Sequence, residues 1–318
     1  MQQTVNGVST QYTLDINSGL SLSQTTQDGT VNYVYDQSNR LTSVDGQTYT
    51  WDDNGNLLSD GTTTYTYNSA NRLTSVSRDG LSIAYAYSGL GDRMQQTVNG
   101  TSTQYTLDIS PTGTFGTGLT QVLQENGNTY LYGNGRIAQV AETQAGYFLP
   151  DAPRSAPVGG SGSVRQVADG EGALLLARSY DPYGNVVSES GKGQSLYGYT
   201  GEQQENGLVY LRARYYAPVV GRFMARDAWN GDANLPMSYN KWLYTYADPI
   251  NNIDPSGNTP CNLNQCGAIN PSSVTDWYGQ CMSGNDRSDC KNPMHLVNSL
   301  TNYNPNTNKY KKRPTFLH

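Results

Sequence analysis

The first 110 residues repeat a pattern of two aromatic residues separated by one residue, a short polar run, and a returning apolar stretch. Residues 33–44 read YVYDQSNRLTSV and residues 65–76 read YTYNSANRLTSV, with related units beginning at Tyr49 and Tyr85. Alternate residues of a β-strand lie on one face, so each aromatic pair shares a face. Runs of Asp, Asn, Ser and Gly favour tight reversals, and each unit therefore predicts a β-hairpin.

A longer repeat encloses these units. Residues 1–16 read MQQTVNGVSTQYTLDI and residues 94–109 read MQQTVNGTSTQYTLDI, so the two copies differ only at Val8 and Thr101. Such a copy predicts the same structural role for both segments. Because Met1 aligns with the middle of a unit, we expect the chain to be a fragment of a longer protein.

The composition supports strands rather than helices. The chain has 25 Tyr and 34 Gly but only four Phe, and hydrophobic residues make up 36%. Tyrosine suits a pleated, half-buried surface, and glycine suits turns. A single hairpin is only marginally stable, so successive hairpins must pair edge to edge. The sequence therefore predicts an all-β protein built as a long antiparallel ribbon.

The hairpin units resemble YD repeats, which build bacterial Rhs proteins, insect toxin-complex C components and animal teneurins. The matching residues are Tyr33-Val34-Tyr35-Asp36 with Asn39-Arg40-Leu41, Tyr65-Thr66-Tyr67 with Asn71-Arg72-Leu73, and Tyr85-Ala86-Tyr87 with Gly91-Asp92-Arg93. In that family the ribbon spirals into a hollow shell, so the resemblance implies a partial spiral shell. A generic β-solenoid or a surface adhesin is the alternative interpretation.

A denser set of motifs follows residue 180 and resembles the Rhs repeat-associated core, which closes such a shell. Its pieces occur in order as Gly198-Tyr199-Thr200-Gly201-Glu202, Arg212-Ala213-Arg214-Tyr215-Tyr216, Gly221-Arg222-Phe223 and Asp254-Pro255-Ser256-Gly257. We expect YD-repeat β-hairpins over residues 1–144, a Pro/Gly-rich loop insertion over 145–162, the core over 163–257, and a short irregular C-terminal tail over 258–318. The insertion is interpreted as a surface loop, with a functional lid as the alternative.

The resemblance also implies chemistry, because the family core acts as an intramolecular aspartyl protease. Carried over by motif, the catalytic residues are Asp227, Asp254 and Arg214, and the single cut is expected after Asn258. Two carboxylates can share one proton, so that one takes a proton from water while the other donates.

This sequence departs from the family pattern at Ala228, where proline is usual, at the 27-residue separation of the aspartates, and at the polar Asn258. A purely structural core, in which the Asp-Pro dipeptides are plain turns, remains an open alternative. Asp181-Pro182 illustrates that reading, since no role is assigned to it.

The tail differs from the rest of the chain in charge and in cysteine content. The net charge of the chain is −6, whereas residues 259–318 hold six Lys/Arg and three Asp/Glu. Two disulfides, a metal site or free thiols are all open for the four cysteines, and the pairing cannot be read from spacing. These cysteines are Cys261, Cys266, Cys281 and Cys290. The resemblance implies a variable toxin at this position, here a truncated one.

We expect no cofactor and no bound metal. The expected partners are the chain's own C-terminal cargo and upstream repeats, with a cognate immunity protein also implied. No membrane span is predicted, because no apolar run approaches about 18 residues, and nucleic acid is expected at most at the basic segment 309–313. The resemblance implies a secreted or cell-surface parent, and we expect no signal peptide in this chain, because no basic, apolar, small-residue leader opens it. Alternatives are a surface protein that binds carbohydrate through exposed tyrosines and Trp51, and a non-functional gene fragment.

Overall fold

The computed structural model confirms the all-β prediction: its described residues form strands and short 3₁₀ turns, with no α-helix among them. It divides into two units, Met1–Gly267 and Ala268–His318. The described residues are 2–5, 8–14, 20–26, 29–109, 119–133, 135–141, 144–151, 162–262, 303–304 and 309–310.

The first sheet has six antiparallel strands that pair in sequence order. These strands are β1 (Gln2–Val5), β2 (Val8–Leu14), β3 (Ser21–Thr26), β4 (Gly29–Tyr35), β5 (Leu41–Val44) and β6 (Gln47–Thr48).

The second sheet has fourteen strands, again each paired with its neighbours in the sequence. They are β7 (Thr50–Trp51), β8 (Leu57–Ser59), β9 (Thr64–Tyr67), β10 (Leu73–Arg78), β11 (Leu81–Tyr87), β12 (Arg93–Val98), β13 (Thr101–Asp108), β14 (Gln121–Glu125), β15 (Asn128–Gly133), β16 (Gly135–Ala141), β17 (Gln144–Pro150), β18 (Val164–Ala168), β19 (Leu174–Tyr180) and β20 (Val186–Gly191). We call these two sheets the ribbon.

The two copies of the long repeat form the same hairpin. Val5 pairs with Val8 in β1–β2, and Val98 pairs with Thr101 in β12–β13. The adjacent residue pairs, one step further from the turn, are also equivalent: Thr4 pairs with Ser9 in the first copy, and Thr97 pairs with Ser102 in the second. The near-identical sequences therefore occupy equivalent places in the ribbon, as predicted.

In the YD units that begin at Tyr33, Tyr49 and Tyr65, an aspartate or asparagine organises the turn at one end of the hairpin. The Asp36 Oδ1 atom accepts hydrogen bonds from the backbone N–H groups of Ser38 and Arg40, both at 2.9 Å. Asn39 then adopts a φ of 65°, a left-handed conformation that asparagine tolerates well. We call this arrangement the Asp turn; Asn68 and Asn71 repeat it at the next unit.

The opposite ends of several hairpins use two-residue turns. Asn99-Gly100 and Asn126-Gly127 have positive φ at both positions, 47° and 85° in the first pair and 41° and 81° in the second. This is the conformation that matches the right-handed twist of paired strands, and it explains the recurrent Asn-Gly.

The predicted aromatic face is buried. In β11 the burial alternates, with Ile83 and Tyr85 buried and the residues between them exposed. Tyr67 and Tyr87 pack against the same cluster as Tyr65 and Tyr85, so both rings of a unit lie on one face. The outer face carries mainly Thr, Ser and Gln.

Residues 196–257 pack on this aromatic face, and we call them the core segment. It holds β21 (Gln203–Glu205), β22 (Leu208–Leu211), β23 (Arg214–Ala217) and β24 (Arg222–Phe223), which form one sheet, followed by β25 (Asn252–Ile253), which pairs with β26 (Cys261–Asn262). Its 3₁₀ turns are Tyr199–Gly201, Pro236–Tyr239 and Thr245–Ala247. In the second unit, β27 (Tyr303–Asn304) pairs with β28 (Lys309–Tyr310).

Two buried arginines of the ribbon, Arg93 and Arg136, connect it to the core segment. Arg93 forms an ion pair with Glu205 at 2.9 Å and donates to the Tyr215 hydroxyl at 3.0 Å. Its guanidinium carbon also lies 4.5 Å from the ring centre of Tyr210. Along the ribbon, Arg136 donates to the Gly201 carbonyl at 2.8 Å. A buried guanidinium needs such partners, so these contacts fix where the core segment sits.

The structure places two segments differently from the sequence prediction. Strand β17 runs into the predicted loop, because the backbone of Pro150 still pairs with Val164. Strands β18 to β20, predicted as part of the core, continue the hydrogen-bonded ladder of the ribbon. The ends of the insertion meet, since Asp151 forms an ion pair with Arg165 at 2.9 Å; residues 152–161 lie outside the described residues.

We expect Arg93→Ala to lower the free energy of unfolding by about 3 kcal/mol, because it leaves Glu205 without its cation in a largely buried site. Urea unfolding followed by tryptophan fluorescence measures this. The matched control is Arg78→Ala on the exposed end of β10, which should change stability by less than about 0.5 kcal/mol. Equal effects of the two substitutions would contradict the anchoring role of Arg93.

Candidate functional site

Arg214 lies at the centre of the candidate site and contacts both predicted aspartates. Its Nη2 atom is 2.7 Å from Asp227 Oδ2 and 3.8 Å from Asp254 Oδ2. The guanidinium also stacks over the Phe223 ring, with its carbon atom 3.6 Å from the ring centre. The structure therefore brings together the three residues that the motif resemblance selected.

Two backbone carbonyls complete the surroundings of Arg214. Its Nη1 donates to the Lys241 carbonyl at 3.1 Å, and its Nε donates to the Gly257 carbonyl. Gly257 belongs to the closing Asp-Pro-Ser-Gly turn, so Arg214 fixes the backbone next to the predicted cut.

Asp227 follows β24, and two hydrogen bonds to the backbone of other residues fix its position. Its N–H donates to the Lys241 carbonyl at 2.9 Å, and its Oδ1 accepts from the Trp229 N–H at 2.8 Å. Its side chain retains 13% exposure, whereas that of Asp254 has none. Asp227 is thus the carboxylate that water can reach.

Asp254 begins a turn of the same design as the Asp turns of the ribbon. The Asn258 N–H donates to Asp254 Oδ1 at 3.2 Å, and the Gly257 N–H donates to the Asp254 carbonyl at 3.3 Å. Gly257 has a φ of 71°, and a Cβ there would lie 2.2 Å from the Leu211 carbonyl oxygen. Only glycine permits this close approach.

The second carboxylate oxygen distinguishes Asp254 from the aspartates of the ribbon turns. In three of those turns Oδ2 accepts a bond from the side chain four residues on: Arg40 for Asp36 at 2.7 Å, Asn56 for Asp52 at 2.8 Å and Asn185 for Asp181 at 2.8 Å. Within the described part of the chain, Asp254 Oδ2 is buried and accepts no hydrogen bond.

The protonation states follow from this environment. Burial raises the pKa of Asp254, and the nearby Arg214 only partly opposes that effect. Burial also lowers the pKa of Arg214, with Asp227 as the larger of the two carboxylate contributions that oppose it. Burial therefore favours the neutral form of Asp254, while Asp227 is the carboxylate that lies closer to Arg214.

The site opens into a cleft of about 430 Å³. Arginine side chains dominate its polar wall, and Ser256 and Asn258 line it beside Arg214. Asn258 and Thr259 are exposed, so the predicted bond is accessible to water.

The sequence did not reveal three further contributors: Phe223, the Lys241 carbonyl and Ser256. Phe223 could have been suspected from its place in Gly-Arg-Phe, because an aromatic face supports a guanidinium. The Lys241 carbonyl carries no sequence signal, since any residue supplies one.

The rings proposed as carbohydrate platforms are engaged within the protein. Trp51 Nε1 donates to the Leu41 carbonyl at 2.7 Å, and its ring packs edge-on against Trp242 at 5.7 Å. Tyr33, Tyr65 and Tyr85 are likewise buried. These rings therefore pack within the protein, and carbohydrate binding through exposed tyrosines such as Tyr147 and Tyr239 stays a prediction.

Cys261 is disulfide-bonded. The other three cysteines and the basic segment 311–313 lie outside the described residues. Across the described ranges no cluster of three or more potential metal-ligating His, Cys, Asp or Glu side chains occurs. No described helix has the length and hydropathy needed to cross a membrane.

Comparison with known proteins identifies the class of this fold. A family model described as the teneurin YD-shell matches residues 1–252. The chain therefore belongs to the YD-shell family, the group of Rhs-type proteins built from a ribbon of YD hairpins.

Curated relatives include the tRNA3(Ser)-specific nuclease WapA of Bacillus spizizenii, 31% identical over 269 residues, covering 79% of this chain and 11% of the relative. The tRNA nuclease WapA of Bacillus subtilis is 31% identical over 266 residues, with the same coverage. This chain thus spans about a tenth of the length of these relatives. The crystal structure of TcdB2-TccC3-Cdc42 matches with a TM-score of 0.45 and 19% identity, covering 79% of this chain and 17% of that one.

We expect the side-chain carboxyl of Asp254 to titrate above the ordinary aspartate range of about pH 4, because burial disfavours its charged form. Carbon-13 NMR of aspartate-labelled protein measures this, and Asp254→Asn identifies the resonance. The group should remain protonated between the ordinary and the raised pKa, and ionise only above the latter. A resonance already ionised below pH 4 would contradict the assignment.

Proposed function

We propose that this chain is the shell-closing and self-processing end of a toxin-type YD-shell protein. In this proposal the ribbon forms part of the shell wall, and the core segment covers its aromatic face. Asp227 and Asp254 then cut the chain once, after Asn258. The fragment released begins at Thr259.

The observation that carries this proposal is the convergence of Asp227, Asp254 and Arg214 on the turn that precedes the cut. Arg214 contacts both carboxylates and the Gly257 carbonyl at the same time. A plain structural turn needs none of this, as the Asp181 turn shows: both its carboxylate oxygens are satisfied by Tyr183 and Asn185 within the turn.

The chemistry divides between the two carboxyls. Ionised Asp227 takes a proton from a water molecule that attacks the Asn258 carbonyl carbon, and neutral Asp254 supplies the proton that the departing amine requires. Arg214, whose Nη2 lies 2.7 Å from Asp227 Oδ2, balances the negative charge that builds up in the site. The bond is on the same chain, so its position replaces substrate binding, and each molecule reacts once.

The cargo would be the residues from Thr259 onward, together with anything that follows them in the parent. The two WapA relatives are named as tRNA nucleases, so a nuclease is the class of cargo we propose for the family setting of this chain. We also propose that the parent protein is secreted or surface-exposed. Its upstream repeats and a cognate immunity protein are the partners that we propose.

The direct test is spontaneous cleavage of the expressed chain, seen on a denaturing gel, with N-terminal sequencing of the new fragment. We expect Thr259 as its first residue. Asp227→Asn and Asp254→Asn should each slow the cut by at least about 100-fold, because each removes one proton-transfer group.

The matched control is Asp181→Asn, which changes an aspartate in the same turn design and the same Asp-Pro context. It should cut at the wild-type rate. A wild-type chain that stays intact between pH 4 and pH 9 would refute self-processing and favour the structural alternative, in which the core segment only closes the ribbon.

The rate should fall as pH rises through the raised pKa of Asp254, because the acid then loses its proton. The other charged and titratable neighbours of Asp254 are Arg214, Asp227, Tyr244 and Tyr246. A rate that climbs steadily to pH 9 would exclude Asp254 as the acid.

A further inference from the structure

Ser256 lies between the buried acid and the bond that the proposed function breaks. Its hydroxyl donates to Asp254 Oδ1 at 3.1 Å. Ser256 Oγ in turn accepts a hydrogen bond from the Asn258 N–H at 3.2 Å and another from the Thr259 N–H at 3.4 Å. Thr259 N is the nitrogen that must leave when the chain is cut after Asn258.

Asp254 needs such an intermediary. Its Oδ1 contacts the nitrogen of Asn258, one residue before the bond, and its Oδ2 faces Arg214. The contact that links this carboxyl to the leaving nitrogen therefore runs through the Ser256 hydroxyl. A hydroxyl can give one proton while it takes another, which is the property of a relay.

We propose that the Ser256 hydroxyl is a catalytic proton relay that passes the proton of Asp254 to the leaving nitrogen of Thr259. This inference rests on the self-cleavage proposed above and names the route of its acid step.

The step balances without any co-reactant except water. Water adds to the Asn258 carbonyl carbon and gives one proton to Asp227. The carbon–nitrogen bond then breaks while the nitrogen takes the Ser256 hydroxyl proton, and the serine oxygen takes the proton of Asp254. Asp227 ends protonated and Asp254 ionised, and the products are a carboxyl group at Asn258 and an amine at Thr259.

The turn itself does not depend on a serine at this position. The residue two places after the Asp or Asn varies among the Asp turns of the ribbon, and in three of them it is Ser38, Ala70 and Tyr183. Ala70 holds that place while Asn68 keeps its bonds to the backbone of Ala70 and Arg72. Ser256→Ala should therefore remove the hydroxyl and leave the turn in place.

The test compares Ser256→Ala and Ser256→Thr in the full chain, made by pulsed cell-free translation, with the fragment beginning at Thr259 measured over time. We expect Ser256→Ala to cut about 100-fold more slowly than wild type, as for the loss of a general acid. Ser256→Thr keeps the hydroxyl and should stay within about tenfold of wild type. The urea midpoint of both variants should match that of Asp254→Asn, so that a slow cut is not a folding defect.

The cleavage rates of the two Ser256 variants and of the wild type separate the relay from self-cleavage itself. If Ser256→Ala cuts at the wild-type rate, the relay is refuted while self-cleavage stands. If Ser256→Thr is as slow as Ser256→Ala, the hydroxyl is not the relevant group and the relay is again overturned. If the wild-type chain is never cut, both the relay and the proposed function fail, and Asp227→Asn and Asp254→Asn will look the same as wild type.

Discussion

Burial of the aromatic face of the ribbon is the constraint on which the rest of the structure depends. Each hairpin turns two rings to one side, and an antiparallel sheet with one such face must cover it. The core segment does so, with tyrosines and phenylalanine of its own, such as Tyr215 packed at 5.2 Å against Tyr85. Because this surface is aromatic rather than aliphatic, guanidinium groups such as Arg93 can be buried in it, and they lock the two layers together.

The candidate site arises from a local motif that the ribbon already uses many times. The Asp turn is a self-contained device: one carboxylate oxygen bonds the backbone and the other bonds a side chain of the same turn, as in Asp36 with Arg40. At Asp254 the backbone bond remains, but Asn258 provides no such side-chain bond and Arg214 takes the facing position instead. A carboxyl with one oxygen buried and unsatisfied is poor for stability, and that cost is typical of groups retained for chemistry.

The Asp-Pro dipeptide does not by itself indicate a catalytic site. Asp254 is buried and Asp181 is half-buried, and desolvation raises the pKa of both carboxyls. What separates them is the partner of the second oxygen, which is Asn185 within the turn in one case and Arg214 from a distant strand in the other. Proposed catalysis therefore depends on a contact between residues 40 positions apart, and membership of the YD-shell family does not by itself establish it.

The sequence by itself determined the hairpins, their order and the aromatic face, because alternation along a strand and turn chemistry are local properties of a few residues. It also selected Asp227, Asp254 and Arg214, through motifs that resemble a family. Only the tertiary structure decided that strands β18 to β20 extend the ribbon, since the sequence motifs had assigned Val164 to Gly191 to the core and strand pairing is not a local property. It alone showed that Asp254 Oδ2 accepts no hydrogen bond, that the Lys241 carbonyl accepts one from Arg214, and that Ser256 Oγ contacts Thr259 N. These contacts depend on distances between atoms that no local pattern encodes.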